Sequence, residues 1–291
     1  MTQPVMITGA AGQLGYELQR TVPAGASVLA VDIDTLDLTN ATAVDAFVAA
    51  HRPSVIINGA AYTAVDKAEE QPAIAEAVNV AAAQSLAESA RRHGARMIQI
   101  STDFVFGGAS GLPWTPRDPT APQSVYGRTK RDGENATLST LGDGALVIRT
   151  AWLYSAHGGN FVKTMLRLMS ERDEVRVIAD QIGTPTWANS LAHTIWAAVA
   201  RPGVAGILHW TDAGVASWYD FAVAIQEEAV SRRMLTRVVP IRAIPTSAYP
   251  TPAQRPTYSV LDKSETESAL GVTPVHWRTN LRLMLDELTN A

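Results

Sequence analysis

Near the amino terminus a short branched apolar run, Pro4-Val-Met-Ile-Thr8, hands over to Gly9-Ala-Ala-Gly12-Gln-Leu-Gly15 and then to a helix-like stretch reaching about Arg20. Three glycines placed between a strand and a helix constrain the backbone more than any other feature of the chain. Gly9 suits a tight turn, Gly12 allows another group to approach the main chain, and Gly15 lets the helix lie close to a sheet. The strand-to-helix alternation then recurs. Further strand candidates are Ser27–Val31, Ser54–Asn58, Arg96–Ser101 and Ala145–Thr150, separated by alanine-rich helical segments over about 41–51, 72–93 and 124–140.

Strands alternating with helices imply βαβ units and a parallel sheet. These strands are uniformly apolar rather than alternating, as expected when both faces of a sheet are covered. The expected fold is α/β, a Rossmann-type doubly wound parallel sheet. After Thr150 the rhythm loosens: helical stretches near 160–172, 187–200 and 217–230 mix with strand-like pieces at Glu174–Ile178 and Ile207–His209. Prolines cluster at Pro240, Pro245, Pro250, Pro252 and Pro256, and such a segment is expected to wrap over a surface rather than continue a sheet. The expected division is a first domain over 1–150 and a smaller substrate-binding lobe over 151–291, interleaved with the end of the first.

Composition removes several chemistries. The chain has no cysteine, so thiol nucleophiles, disulfides, cysteine-ligated zinc and iron–sulfur clusters are excluded. Its six histidines are scattered without metal-ligand spacing. A formal net charge of −4 argues against nucleic acid or anionic membrane as a partner. No apolar run approaches the roughly 20 residues of a spanning helix. Met1 to Met6 does not read as a secretory signal, and the cytoplasm is the expected location.

The glycine triplet also resembles a phosphate cradle, with a helix amino terminus facing the anion. Asp32 closes the second strand, where a carboxylate accepts hydrogen bonds from ribose hydroxyls. Together they predict a dinucleotide site containing Gly9, Gly12, Gly15 and Asp32. A carboxylate there repels a 2′-phosphate, so NADH is expected over NADPH. Tyr126 and Lys130 are spaced to share one helical face, and the ammonium is expected to lower the phenol pKa from about 10. That spacing is common by chance; context gives it meaning. Thr102 ends the strand candidate at 96–101, at the carboxyl edge where open α/β sheets bind ligands. There it is placed to donate to a reacting carbonyl oxygen while Tyr126 acts as general acid or base.

With these residues the chain resembles the extended short-chain dehydrogenase/reductase superfamily and, within it, the dTDP-4-dehydrorhamnose reductase family. The resemblance runs through Gly12-Gln-Leu-Gly-Tyr-Glu-Leu18, Asn58-Gly-Ala-Ala-Tyr-Thr-Ala-Val-Asp-Lys-Ala-Glu69, Ser101-Thr-Asp-Phe-Val-Phe106, Tyr126-Gly-Arg-Thr-Lys130 with Gly133-Glu134, and Arg149-Thr-Ala-Trp-Leu-Tyr154. It continues through Asn160-Phe-Val-Lys-Thr-Met165, Asp180-Gln-Ile-Gly-Thr-Pro-Thr186, Ser217-Trp-Tyr-Asp-Phe221 and Arg255-Pro256. The resemblance implies reduction of the C4 ketone of a dTDP-4-dehydro-6-deoxy-L-mannose by NADH or NADPH. It implies cofactor contacts at Gly12, Gln13, Leu14, Asp32, Asp37, Leu38, Ala61, Tyr62 and Thr63, with Lys130 holding the nicotinamide ribose and tuning Tyr126. Sugar contacts are implied at Val65, Thr102, Phe104 and Trp152, the last by stacking. Arg255 is the candidate for the diphosphate.

Two departures from the family pattern stand out. Phe104 occupies a usual tyrosine position, which removes a hydroxyl. Some members bridge a dimer with magnesium held by glutamates. Glu17 and Glu287 match two such positions, but Asn189 stands at the third, and an amide oxygen is a poorer ligand for a hard cation. Magnesium is therefore not expected, Glu17 and Glu287 read equally well as solvated helix-face charges, and a monomer or weak homodimer is anticipated. Two other readings remain open at the level of sequence. One is a nucleotide-sugar dehydratase or epimerase, although Phe104 cannot serve as the second acid a dehydratase carries. The other is a non-catalytic regulatory subunit of the methionine adenosyltransferase type. Whatever the anionic sugar nucleotide, a chain of net −4 is expected to concentrate basic groups at its cleft.

Overall fold

The computed structural model describes residues 3–108 and 110–290. β1 (Val5–Thr8), β2 (Val28–Val31), β3 (Val55–Asn58), β4 (Arg96–Thr102), β5 (Ala145–Thr150) and a sixth strand, Gly206–His209, form one sheet in the order β2-β1-β3-β4-β5-sixth. Every pairing is parallel. The order reverses between β1 and β3, so a crevice opens there at the carboxyl edge. A buried relay joins neighbouring strand ends. Thr8 donates to Asn58 Oδ1 at 2.6 Å, and Asn58 Nδ2 donates to Gln99 Oε1 at 2.8 Å.

Strand residues supply two cores in alternation. Ile7, Ile57, Ile98 and Ile148 meet α1 (Gln13–Arg20) and the Ala188–Val199 helix through Leu14, Leu18, Leu191 and Ile195. Met6, Ile56 and Met97 meet α2 (Ala41–His51) and the Ala82–His93 helix through Val44, Val48 and Leu86. With both faces covered, β1, β3, β4 and β5 are buried along their whole length, as their mainly apolar runs predict. A third core joins the Phe161–Glu171, Trp218–Ser231 and Trp277–Asn290 helices through Met165, Phe221, Ile225, Leu281 and Leu285.

The departures from expectation include the short helices Val65–Glu70 and Ser264–Leu270 and three larger features. The helix predicted over 72–93 is interrupted by a π-helical turn at Ala77–Ala81. Ile241–Ile244, set between Pro240 and Pro245, pairs in parallel with Val175–Ile178, because the prolines flank the ladder rather than interrupt it. Beyond Pro245 the chain does wrap, with Tyr258 bridging Ile182 and Leu261 bridging Trp114. The Trp277–Asn290 helix lies outside the predicted elements.

The Val125–Leu141 helix sits unusually close to its neighbours, and two glycines allow it. A Cβ at Gly127 would lie 2.3 Å from the Phe104 carbonyl oxygen, and one at Gly133 would lie 2.2 Å from that of Asn79 in the π turn. Gly133→Val is expected to destabilise the protein by about 3 kcal/mol in urea unfolding, the upper end for overpacking. Gly203→Ala, which meets nothing within 4 Å, should change stability by less than about 0.5 kcal/mol.

Candidate active site

A cavity of about 780 Å³ follows the carboxyl edge of the sheet from β2 to β5. At one end, Gly9 has φ +67°, the left-handed region that favours glycine, and a Cβ at Gly15 would sit 2.2 Å from the Gly9 oxygen. Gly12 caps α1 without any side-chain acceptor, so the N–H groups of the first turn face open space. Asp32 Oδ2 accepts from Ala11 N–H and Oδ1 from Ile33 N–H, both at 2.8 Å. The carboxylate therefore shapes the glycine loop as well as facing the cavity. The cradle fits a dinucleotide diphosphate. Deeper in, Ser101 Oγ and Thr150 Oγ1 are buried hydroxyls of the cavity lining without hydrogen-bond partners among the described residues, placed to bond a polar group there.

Of the expected site residues, Gly9, Gly12, Gln13, Leu14, Gly15, Asp32, Asp37, Leu38, Ala61 and Thr63 line this cavity, and so do Val65, Thr102, Phe104, Tyr126, Lys130, Trp152 and Arg255. Tyr62 does not: its hydroxyl donates to Gln71 Oε1 at 2.8 Å, and its backbone is held by Asn79. Lining residues without an assigned role in sequence include five with polar or aromatic side chains at the deep end: Ser101, Asp103, Thr150, Asn160 and Trp218. All five stood in the quoted motifs; burial next to the cavity is the signal that sequence lacks.

Tyr126 and Lys130 leave the first turns of the Val125–Leu141 helix on one face. Ser124 caps that helix by accepting from Gly127 N–H, and Glu69 accepts from Val125 N–H at 2.7 Å. Lys130 Nζ donates to the Ile100 carbonyl at 2.6 Å, which locks the ammonium beneath the end of β4. Thr102 faces Tyr126, donates to Asp103 Oδ1 at 3.0 Å and accepts from Phe104 N–H. The Phe104 ring meets Tyr126 edge-on at 5.5 Å. The expected lowering of the phenol pKa is not found. Burial pushes Tyr126 up to about 12, aided by the nearby Asp103, and draws Lys130 down to about 8. Tyr126 thus keeps its proton at neutral pH.

The far wall is aromatic. Trp152 takes φ +48°, an uncommon conformation for a bulky residue, and its indole stacks on Trp218 at 3.6 Å and 6°. Trp218 therefore covers one of the two faces that sequence offered for stacking. Arg255 reaches the cavity already paired, with its guanidinium bonding Asp66 at 2.8 and 3.1 Å and Thr251 Oγ1 at 2.6 Å.

On the outer side of α1, Glu17 is fully buried, not a solvated helix-face charge. Its carboxylate accepts from Ser155 Oγ at 2.6 Å, Asn189 Nδ2 at 3.0 Å and Arg20 at 3.2 Å, while Arg20 also grips Glu287 at 2.9 and 3.0 Å. Asn189 therefore offers its N–H, not its oxygen, and the cation between the two glutamates is a side chain of the same protein. These residues as arranged do not fit a metal ion.

The sequence matches the family described as RmlD substrate binding domain over residues 2–290. A Streptomyces griseus protein named dTDP-4-dehydrorhamnose reductase is 45% identical over 282 residues, covering 95% of this chain and 91% of that protein. A crystal structure of a dTDP-4-dehydrorhamnose reductase from Clostridium acetobutylicum superposes with a TM-score of 0.93 at 40% identity, covering 98% of this chain and 99% of that one. One from Bacillus anthracis, solved in complex with NADP, superposes at 0.92 with 34% identity, covering 99% of this chain and 100% of that one.

Arg20→Ala leaves the Glu17 carboxylate buried without its cation, and removing one member of such a pair is costly. The variant should lose about 2 kcal/mol in urea unfolding, less than a fully buried pair because Arg20 is partly exposed. Added magnesium should raise the melting temperature of the variant but not of the wild type.

Proposed function

The chain belongs to the family described as RmlD substrate binding domain, and from that premise we propose that it reduces the C4 ketone of dTDP-4-dehydro-β-L-rhamnose to dTDP-L-rhamnose with NAD(P)H. The observation that carries the reading is convergence: one cavity at the carboxyl edge joins an uncapped glycine cradle to Thr102, Tyr126 and Lys130. With its diphosphate held in that cradle, the reduced cofactor would supply the hydride.

The protein's own groups handle position and protons. The cradle glycines with Gln13 and Leu14 hold the diphosphate, and Asp32, Asp37 and Leu38 hold the adenosine end. Ala61 and Thr63 border the channel between the two ends. Lys130, fixed on the Ile100 carbonyl, is placed to hold the ribose next to the nicotinamide. Tyr126 donates its proton to the developing alkoxide. Its raised pKa suits an acid that must stay loaded until that oxygen becomes basic. Thr102 donates a hydrogen bond to the same oxygen. Val65, Phe104, Trp152 with Trp218, and Arg255 form the sugar-nucleotide wall. In this reading the lobe over 151–291 carries substrate specificity on a cofactor domain over 1–150. The protein works in the cytoplasm as a monomer or weak homodimer, since Arg20 already ties Glu17 to Glu287 within one chain.

The test is a coupled assay with chemically defined dTDP-4-dehydro-6-deoxy-L-mannose and either NADH or NADPH, with the product identified by NMR. Net turnover without stoichiometric reduced cofactor would instead favour an epimerase or dehydratase. Tyr126→Phe should lower kcat by about 10²–10⁴, the usual worth of a general acid, with NADH binding nearly intact. Lys130→Met should impair both kcat and NADH titration. Charge repulsion at Asp32 predicts a larger kcat/KM with NADH than with NADPH, and the reverse order sinks that preference.

A further inference from the structure

Asp103 stands directly behind Thr102 and is not used in the chemistry above. It begins the short Asp103–Val105 turn after β4 and is only 2% exposed. Its Oδ1 receives the Thr102 hydroxyl at 3.0 Å, while Oδ2 has no hydrogen-bond partner among the described residues. The groups facing it are the Thr102 hydroxyl, Phe104 N–H, Ser259 from the wrapping C-terminal segment, and Tyr126 from the Val125–Leu141 helix. The two cations of the cavity lining are committed elsewhere, Lys130 to Ile100 and Arg255 to Asp66. A carboxylate in this position is buried without a counter-charge.

Thr102 has one proton and two acceptor positions. Phe104 N–H takes one acceptor position at 3.2 Å. The proton and the remaining position must be shared between Asp103 on one side and Tyr126 or a ligand oxygen on the other. If Asp103 is ionised it can only accept, so the Thr102 proton points backwards and Thr102 offers the cavity a lone pair. If Asp103 carries a proton it can donate to Thr102, and the Thr102 proton turns toward the cavity.

We propose that Asp103 is a positioning residue for the ketone reduction, its protonated form turning the Thr102 hydroxyl into a donor to the substrate oxygen and its ionised form withdrawing that donor. The inference rests on the reductase reading above. A second observation agrees with it. The charge of ionised Asp103 opposes loss of the Tyr126 proton, so neutral Asp103 makes Tyr126 a better acid as well. Burial raises the Asp103 carboxyl to about 6, so the change falls in an accessible pH range. Because the protonated form is the active one, turnover is highest below that pKa and falls as pH rises through it.

The experiment is kcat against pH from 5 to 8.5, with cofactor and dTDP-4-ketosugar both saturating. Wild type should decline at least about tenfold above a midpoint near 6, the worth of a hydrogen bond to a developing charge. D103N, whose amide donates to Thr102 at every pH, should lose the decline near 6, exceed wild type at pH 7 to 7.5, and fall only as Lys130 loses its proton near 8. T102S should keep the decline near 6, and T102V should turn over more slowly and lose most of that decline, keeping only the weaker part that acts on Tyr126 directly. The Thr102 pair decides the matter if D103N fails to fold. A D103N profile that still falls with the wild-type midpoint near 6, or a T102V decline near 6 as steep as that of wild type, overturns the inference while leaving the reductase intact. Absence of ketosugar reduction by wild type at any pH overturns the functional reading itself.

Discussion

The bidentate ion pair between Glu134 and Arg149 holds the catalytic helix to the sheet. Both side chains are almost wholly buried, and the guanidinium meets the carboxylate at 2.7 and 2.9 Å. Burying two charges is costly, so such a pair persists where its remaining donors are also satisfied and its geometry fixes something else. Here Glu134 lies one turn beyond Lys130 on the helix and raises the lysine's affinity for its proton, against burial. Arg149, one residue before the end of β5, lies over the Phe106 ring at 5.1 Å and abuts His209 of the sixth strand. His209 is pushed down to about 3 by burial and by Arg149, so it stays neutral beside the guanidinium. Its Nδ1 lies 3.0 Å from the Trp114 carbonyl, and Trp114 stacks on Phe106. One ion pair thus links the helix, two strands and the turn that follows Thr102.

That arrangement explains why burial dominates the site. A helix drawn close through Gly127 and Gly133 places Tyr126 and Lys130 where water is scarce. Desolvation favours the neutral form of each, moving the phenol up and the ammonium down. An i, i+4 pair on a solvated helix would show the opposite shift of the tyrosine, and that is the setting in which sequence spacing invites one to think. For an enzyme working in the direction of reduction the observed shift is the useful one, since the acid must be loaded before turnover.

Strand and helix alternation is legible in the sequence because each central strand is mainly apolar and is followed by a stretch of helical composition. The glycine cradle, Asp32, Thr102, Tyr126 and Lys130 are legible because their spacing is local. What is not legible depends on distant partners. Glu134 and Arg149 look like surface charges until the helix is laid against β5. Glu17 looks like a solvated face until Ser155, Asn189 and Arg20 enclose it. Asp103 reads as a turn residue, and only the wrapping segment that carries Ser259 seals it. The Trp277–Asn290 helix had an available signal in the spacing of Trp277, Leu281, Met284 and Leu285, the side chains it buries. The π turn had none, since its widening answers the close approach of Gly133.

The charge of the cleft carries the last step. A protein of net −4 that takes an anionic cofactor and an anionic sugar nucleotide invites the expectation of basic side chains around the cavity. Its lining instead holds two cations, Lys130 and Arg255, against three acids, Asp32, Asp37 and Asp103. Recognition of phosphate must then rest on oriented N–H groups, which carry partial positive charge without needing a counter-ion when the site is empty. The uncapped first turn of α1 offers that at the cofactor end. At the sugar-nucleotide end Arg255 is neutralised in place by Asp66, which holds the guanidinium bidentately and leaves its Nε and one further N–H free. A cavity built this way can accept two polyanions in succession without paying for a field of unpaired cations in between.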